Sequence, residues 1–107
     1  MRIAVVGIGI ISAAGMGIAQ TLESLRAGRS GIVPEPSHLA TRHRLPVGEV
    51  ARSNAELSEA LGVTGTNSRT ALLGMTAAAE ALADAGGSRS NTALVSATSV
   101  GGMDLTE

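Results

Sequence analysis

The sequence has no cysteine, no lysine, and no phenylalanine, tyrosine or tryptophan. Each absence closes a class of chemistry. Without a thiol there is no cysteine nucleophile, no disulfide and no thiolate metal site. Without lysine there is no Schiff base and no lysine-bearing phosphate loop. Without tyrosine there is no phenolic acid or base, so His38 and His43 are the only side chains that ordinarily titrate near neutrality. Charge is scarce as well. Eight arginines against nine acidic residues leave a net charge of −1 over 107 residues, which points to neither nucleic acid nor an anionic membrane as partner. No apolar run reaches the roughly 18 residues that a bilayer span needs.

What is present is small. Hydrophobic residues make up 44% of the chain, 18 of them alanine, and there are 14 glycines. Leu, Ile, Val and Met must supply nearly all the large apolar area, with no ring to add roughly 150–250 Å² apiece. A chain of this length holds one domain at most and buries a modest core. Elements this bare of side chain pack closely against neighbours, so the chain reads as a piece of a larger globule. The segment after Gly102 has no feature of a natural terminus.

Residues 2–9 form a continuous Val- and Ile-rich run, expected to be a strand buried on both faces. Its Gly7 and Gly9 fit a strand opening into a glycine turn better than the core of a signal peptide, and the chain reads as cytoplasmic. Residues 10–16 are a Gly/Ala/Ser turn. Ile18, Leu22 and Leu25 recur at helical spacing over 17–27, with Gly28 placed to end that helix. Residues 29–43 carry Pro34, Pro36 and both histidines without periodicity, which predicts a loop. Residues 44–50 alternate loosely and read as a short or edge strand that tolerates Pro46. Ser53-Asn54-Ala55-Glu56 is a capping-box pattern for a helix through Leu61. Ser68 caps a longer helix, 69–85, apolar on most sides, as in a layer inside a larger protein. Thr92–Thr98 reads as a last strand. The expected order is β-α-β-α-α-β, an α/β layered fold.

In such folds ligands bind at the carboxyl ends of the strands, where two glycine turns fall: Gly7-Ile8-Gly9-Ile10-Ile11-Ser12 and Thr98-Ser99-Val100-Gly101-Gly102. The first has the dinucleotide spacing G-x-G-x-x-S, with Ser12 in place of the third glycine. The acidic residue expected after a second strand is missing, since Glu23 falls in a helix and Glu35 in a proline-rich loop. Glycines that shape a strand-to-helix turn explain the motif without a ligand. His38 and His43 lie five apart with no intervening carboxylate, which reads as two solvated loop histidines, with no metal site and no cofactor. Arg42-His43-Arg44, Asp104 and Glu107 read as solvated surface. Thr98 and Ser99 carry hydroxyls but have no evident base. Arg69 opposes the dipole of the helix it opens, which calls for a carboxylate or phosphate nearby. No catalytic set follows from these residues.

Four stretches in register resemble the β-ketoacyl-acyl-carrier-protein synthase family: residues 2–12, residues 22–32, residues 77–86 and residues 96–104. The resemblance implies a thiolase-like layered α/β fold, of which residues 1–107 would be an incomplete first part of the amino-terminal half. It implies decarboxylative condensation of an acyl thioester with a malonyl thioester on acyl carrier protein, in fatty acid or polyketide-type synthesis, by a homodimeric or heterodimeric parent. The family's catalytic Cys and two His would lie downstream, leaving this piece inactive, and His38 and His43 match neither family histidine motif. By the same resemblance Val100, Gly101 and Gly102 line the acyl pocket, and Arg69 stands near the carrier-protein entrance. Leu22 stands where the family usually has an aromatic, and Ser68 where it commonly has Asp. Two other readings are a non-catalytic chain-length partner of the same fold and a small dinucleotide-binding module.

Overall fold

The computed structural model describes residues 1–39, 41–99 and 101–102. Three helices and two small sheets follow in the order β1 (Ile11–Ser12), β2 (Gly15–Met16), α1 (Ile18–Arg26), β3 (Ile32–Val33), β4 (Val47–Gly48), α2 (Asn54–Leu61) and α3 (Arg69–Asp84). Both sheets are antiparallel two-stranded ladders. Ile11 pairs with Met16 and Ser12 with Gly15; Ile32 pairs with Gly48 and Val33 with Val47. The mixed α/β character agrees with the sequence, but the order is ββαββαα and not β-α-β-α-α-β.

The helices form where local chemistry puts them. Ser53 accepts the Glu56 N–H at 3.2 Å while Glu56 accepts the Ser53 N–H at 2.8 Å, so the capping box of α2 is complete. Ser68 caps α3 by accepting the Ala71 N–H at 3.1 Å. The end of α1 has the paired bonds of a Schellman motif, Arg29 N–H to the Ser24 carbonyl and Gly28 N–H to the Leu25 carbonyl.

The strands expected at 2–9 and 92–98 are not laddered, which corrects two elements of the expected order. A strand needs a neighbour, and none of the described residues supplies one to either segment. Ile3 and Val5 are 84% and 82% exposed, so the run is not buried on both faces. Conversely, the 10–16 turn contains the β1–β2 hairpin, and the 29–43 loop contains β3, which is why β4 has a partner.

Residues 7–10 lie instead along α3. A Cβ on Gly7 would overlap the Ala81 carbonyl oxygen, and one on Gly9 the Ala77 carbonyl oxygen, so only glycine permits this approach. Two residues of the run thus match four of the helix, a rise of about 6 Å, which is the pitch of extended chain. Carboxylates hold the contact. Asp84 accepts the Ile8 N–H at 3.1 Å and Glu80 the Ile10 N–H at 2.9 Å. The other oxygen of Glu80 accepts the Ile18 N–H at 2.8 Å, at the start of α1. That helix has no side-chain cap of its own and no acidic residue in its first turn, so Glu80 supplies from α3 the negative group its N-terminus favours.

Apolar burial is slight. Among the described residues, only Val50, Leu57 and Leu72 are buried hydrophobics, the latter two on α2 and α3, which pack together. In α1 the two leucines of the apolar spacing face outward. Leu22 and Leu25 are exposed, and Thr21 and Ser24 are buried. The radius of gyration is 15.5 Å, against about 13 Å for a compact domain of this length.

Hydrogen bonds to a charged acceptor contribute about 1.5–3 kcal/mol each when shielded, and less when exposed. Glu80→Ala is therefore expected to lower the unfolding free energy by about 2 kcal/mol, with Glu80→Gln, which keeps one acceptor oxygen, losing less. Gly9→Ala should cost about 1–3 kcal/mol through overpacking against Ala77. Denaturant unfolding followed by circular dichroism measures all three.

Candidate functional site

An open groove of about 600 Å³ lies between α3 and the segment after residue 93, within the range of small-molecule sites. Gly74, Met75 and Ala78 of α3 form one wall; Leu94, Ser96, Thr98, Gly101 and Gly102 form the other. Gly101 and Gly102 thus line a groove with α3, while Val100 lies outside the described residues, as do Asp104 and Glu107. The paired glycines have separate causes. A Cβ at Gly101 would meet the Thr98 Cγ2 at 2.7 Å, and Gly102 has φ 84, a conformation that side chains disfavour. Among the described residues the lining is small and apolar, with hydroxyls at Ser68, Thr70, Ser96 and Thr98 and no ionisable group. Such a surface suits an apolar group.

Arg69 begins α3, and both neighbours, Ser68 and Thr70, line the groove. Its guanidinium is directed to the segment before α2. Nη1 donates to the Arg52 carbonyl and to Asn54 Oδ1, both at 2.9 Å, and Nη2 donates to the Val50 carbonyl at 2.8 Å. Carbonyl and amide oxygens thus receive part of the donor set of this cation at the start of α3.

The first glycine turn is occupied by the protein itself. Gly7 and Gly9 face α3, the Ile8 and Ile10 amides are donated to Asp84 and Glu80, and the first amide of α1 is donated to Glu80. A pyrophosphate in a dinucleotide site needs those turn and helix-terminus amides. Ser12, in place of the third glycine, accepts the Ala14 N–H at 3.1 Å within the hairpin turn.

The histidine loop is organised by a residue that the motif reading did not single out. Glu49 is buried, and its carboxylate accepts the N–H groups of Ser37 (2.6 Å), His38 (2.9 Å) and Leu39 (3.1 Å) and the Ser37 hydroxyl (2.8 Å). The signal was a lone carboxylate in the apolar run Val47-Gly48-Glu49-Val50. Burial pushes its carboxyl up. The hydrogen bonds from the Ser37 and His38 amides, the Ser37 hydroxyl and the Leu39 amide outweigh that and lower it from 4.5 to about 2. Both histidine side chains are exposed. Among the described residues, no three His, Cys, Asp or Glu stand together as metal ligands, and no helix is long and apolar enough to cross a membrane.

The sequence model of one family, described as Beta-ketoacyl synthase, N-terminal domain, matches residues 1–106. No curated protein and no solved structure matches the chain.

Because the carboxyl of Glu49 is lowered on folding, its stabilisation is complete above pH 4.5 and is lost as pH falls toward about 2. Glu56, lowered chiefly by the Ser53 amide, contributes with the same sign. Glu49→Gln should flatten the acid limb of a stability-against-pH curve and speed amide exchange at residues 37–39, with the capping box left intact.

Proposed function

The chain belongs to the β-ketoacyl synthase family, and we propose that it is the opening part of the amino-terminal half of a condensing enzyme with a thiolase-like fold. The match over residues 1–106 carries this reading. The exposed apolar run at 3–10 and the outward leucines of α1 support it, since they are surfaces that further layers of such a fold would cover. In this reading the parent is a soluble, cytoplasmic dimer and an acyltransferase. A downstream cysteine takes an acyl group from acyl carrier protein. A malonyl thioester on the same carrier then loses CO₂, and the carbanion so formed attacks the acyl carbonyl and displaces the cysteine thiolate.

Residues 1–107 contribute walls and supports to that chemistry. Gly101 and Gly102, with Val100, border the acyl chain, and the small lining of the groove leaves room for it. Arg69 stands near the carrier entrance. The nucleophile is not among these residues, which include no cysteine, and His38 and His43 sit on an exposed loop away from the groove lining. The glycine turn at 7–12 shapes the packing of the first segment on α3, which disfavours a dinucleotide-binding module.

Two proteins test the proposal: residues 1–107 alone and the complete reading frame. Each is incubated with acyl- and malonyl-loaded carrier protein. The complete protein should release CO₂ and form a β-ketoacyl thioester detectable by mass spectrometry, and residues 1–107 should form none. Product from residues 1–107 alone would overturn the reading. A glutamine at the nucleophile position of the complete protein, with no condensation, would assign the non-catalytic chain-length partner instead.

A further inference from the structure

The resemblance sets Arg69 near the carrier entrance, where a cation would act by its charge on an anionic group of the docking protein. Its guanidinium is engaged otherwise. Nη1 donates to the Arg52 carbonyl and to Asn54 Oδ1, which takes up both of its hydrogens, and Nη2 donates to the Val50 carbonyl. Arg52 and Asn54 flank Ser53, the N-cap of α2, and Arg69 directly follows Ser68, the N-cap of α3. One side chain thus joins the beginnings of both helices. The Val50 carbonyl also accepts the Arg52 N–H at 2.8 Å, so a tight turn over 50–52 presents two carbonyls to the guanidinium.

These bonds oppose a docking role. A partner's carboxylate or phosphate brings acceptors, so it cannot replace the donors that the carbonyls of 50 and 52 would lose if the guanidinium turned toward it. Val50 is buried, where water replaces a lost donor poorly. The layers of a larger fold would add to that burial and not relieve it. The geometry also asks for a fork. Three acceptors at 2.8–2.9 Å are shared between two nitrogens of one plane, whereas a lysine offers a single nitrogen on a flexible stem.

We propose that Arg69 is a positioning residue: its fork fixes the start of α2 against the start of α3, and carrier protein is not bound through its charge. Ser68 and Thr70 on either side of it line the groove, so the fork also sets that end of the groove wall. The carrier half of this inference rests on the proposed function; the fork half stands on the observed bonds alone.

The test uses the complete protein and two variants, Arg69→Lys, which keeps the charge and loses the fork, and Arg69→Gln, which loses both. Amide exchange is followed at Glu56 and Leu57, whose N–H groups bond to Ser53, and at Ala71 and Leu72, whose N–H groups bond to Ser68. Both variants should speed exchange there several-fold and to a similar degree, while Thr21 and Ala27 of the α1 region keep their rates. Affinity for acyl-loaded carrier protein, measured across a salt series, should depend on salt equally in all three proteins, since no docking charge is removed. Any loss of affinity should be the same for lysine and glutamine. A lysine variant with unaltered exchange would overturn the proposal, as would acceleration spread equally over α1. A flatter salt dependence in Arg69→Gln alone, with lysine restoring it, would overturn it too and make Arg69 a docking cation. If the unaltered protein binds no carrier at any salt, the proposed function fails, and the exchange rates still decide the fork.

Discussion

The arrangement depends on one carboxylate. Glu80 holds the amide of Ile10 with one oxygen and the amide of Ile18 with the other. The first fixes the end of the amino-terminal run on α3. The second fixes the start of α1, whose own sequence brings neither a cap nor an acid to its first turn. Between these two points the chain has room only for the β1–β2 hairpin, so its register follows from where the carboxylate stands. Gly17, which precedes the helix at φ 95, would place a Cβ 2.7 Å from Glu80 Oε1. The glycine and the glutamate are thus one device, although 63 positions separate them in the sequence.

The carboxyl half depends on a cation in the same way. Arg69 gathers the carbonyls of Val50 and Arg52 and the side chain of Asn54, setting the beginning of α2 beside the beginning of α3. Glu49, one residue before Val50, gathers the amides of 37–39. Two charged side chains therefore anchor the segment between β4 and α2, Arg69 joining it to α3 and Glu49 joining it to the 37–39 loop. Among the described residues, every buried side-chain nitrogen and oxygen has a hydrogen-bond partner, so these polar tethers are complete in themselves.

The features that were legible in the sequence are those written in neighbouring residues. The capping box at Ser53–Glu56, the cap at Ser68 and the end of α1 at Gly28 each depend on residues within a turn of one another, and each stands as the pattern implies. The family was legible because four motifs stand in register. What the sequence hid was pairing at a distance. A Val- and Ile-rich run announces a strand, but ladder partners decide whether one forms, and residues 2–9 and 92–98 have none among the described residues. The Ile18, Leu22 and Leu25 spacing announced a helix but not which face it would bury, and α1 buries Thr21 and Ser24. The groove placed Gly101 and Gly102 opposite α3. Glu49 and Glu80 were hidden because a lone carboxylate has no motif; only the amides it meets give it a role.

The three-residue apolar core has a thermodynamic consequence. The heat capacity of unfolding and the denaturant dependence both scale with apolar surface newly exposed to water. With Val50, Leu57 and Leu72 alone buried among the described residues, little such surface is left to expose. The stability curve of these 107 residues is therefore shallow in temperature and their denaturation broad. Because the core is small and the tethers are short hydrogen bonds between charged side chains and neutral groups, cold should spare this molecule and added salt should leave its tethers largely intact.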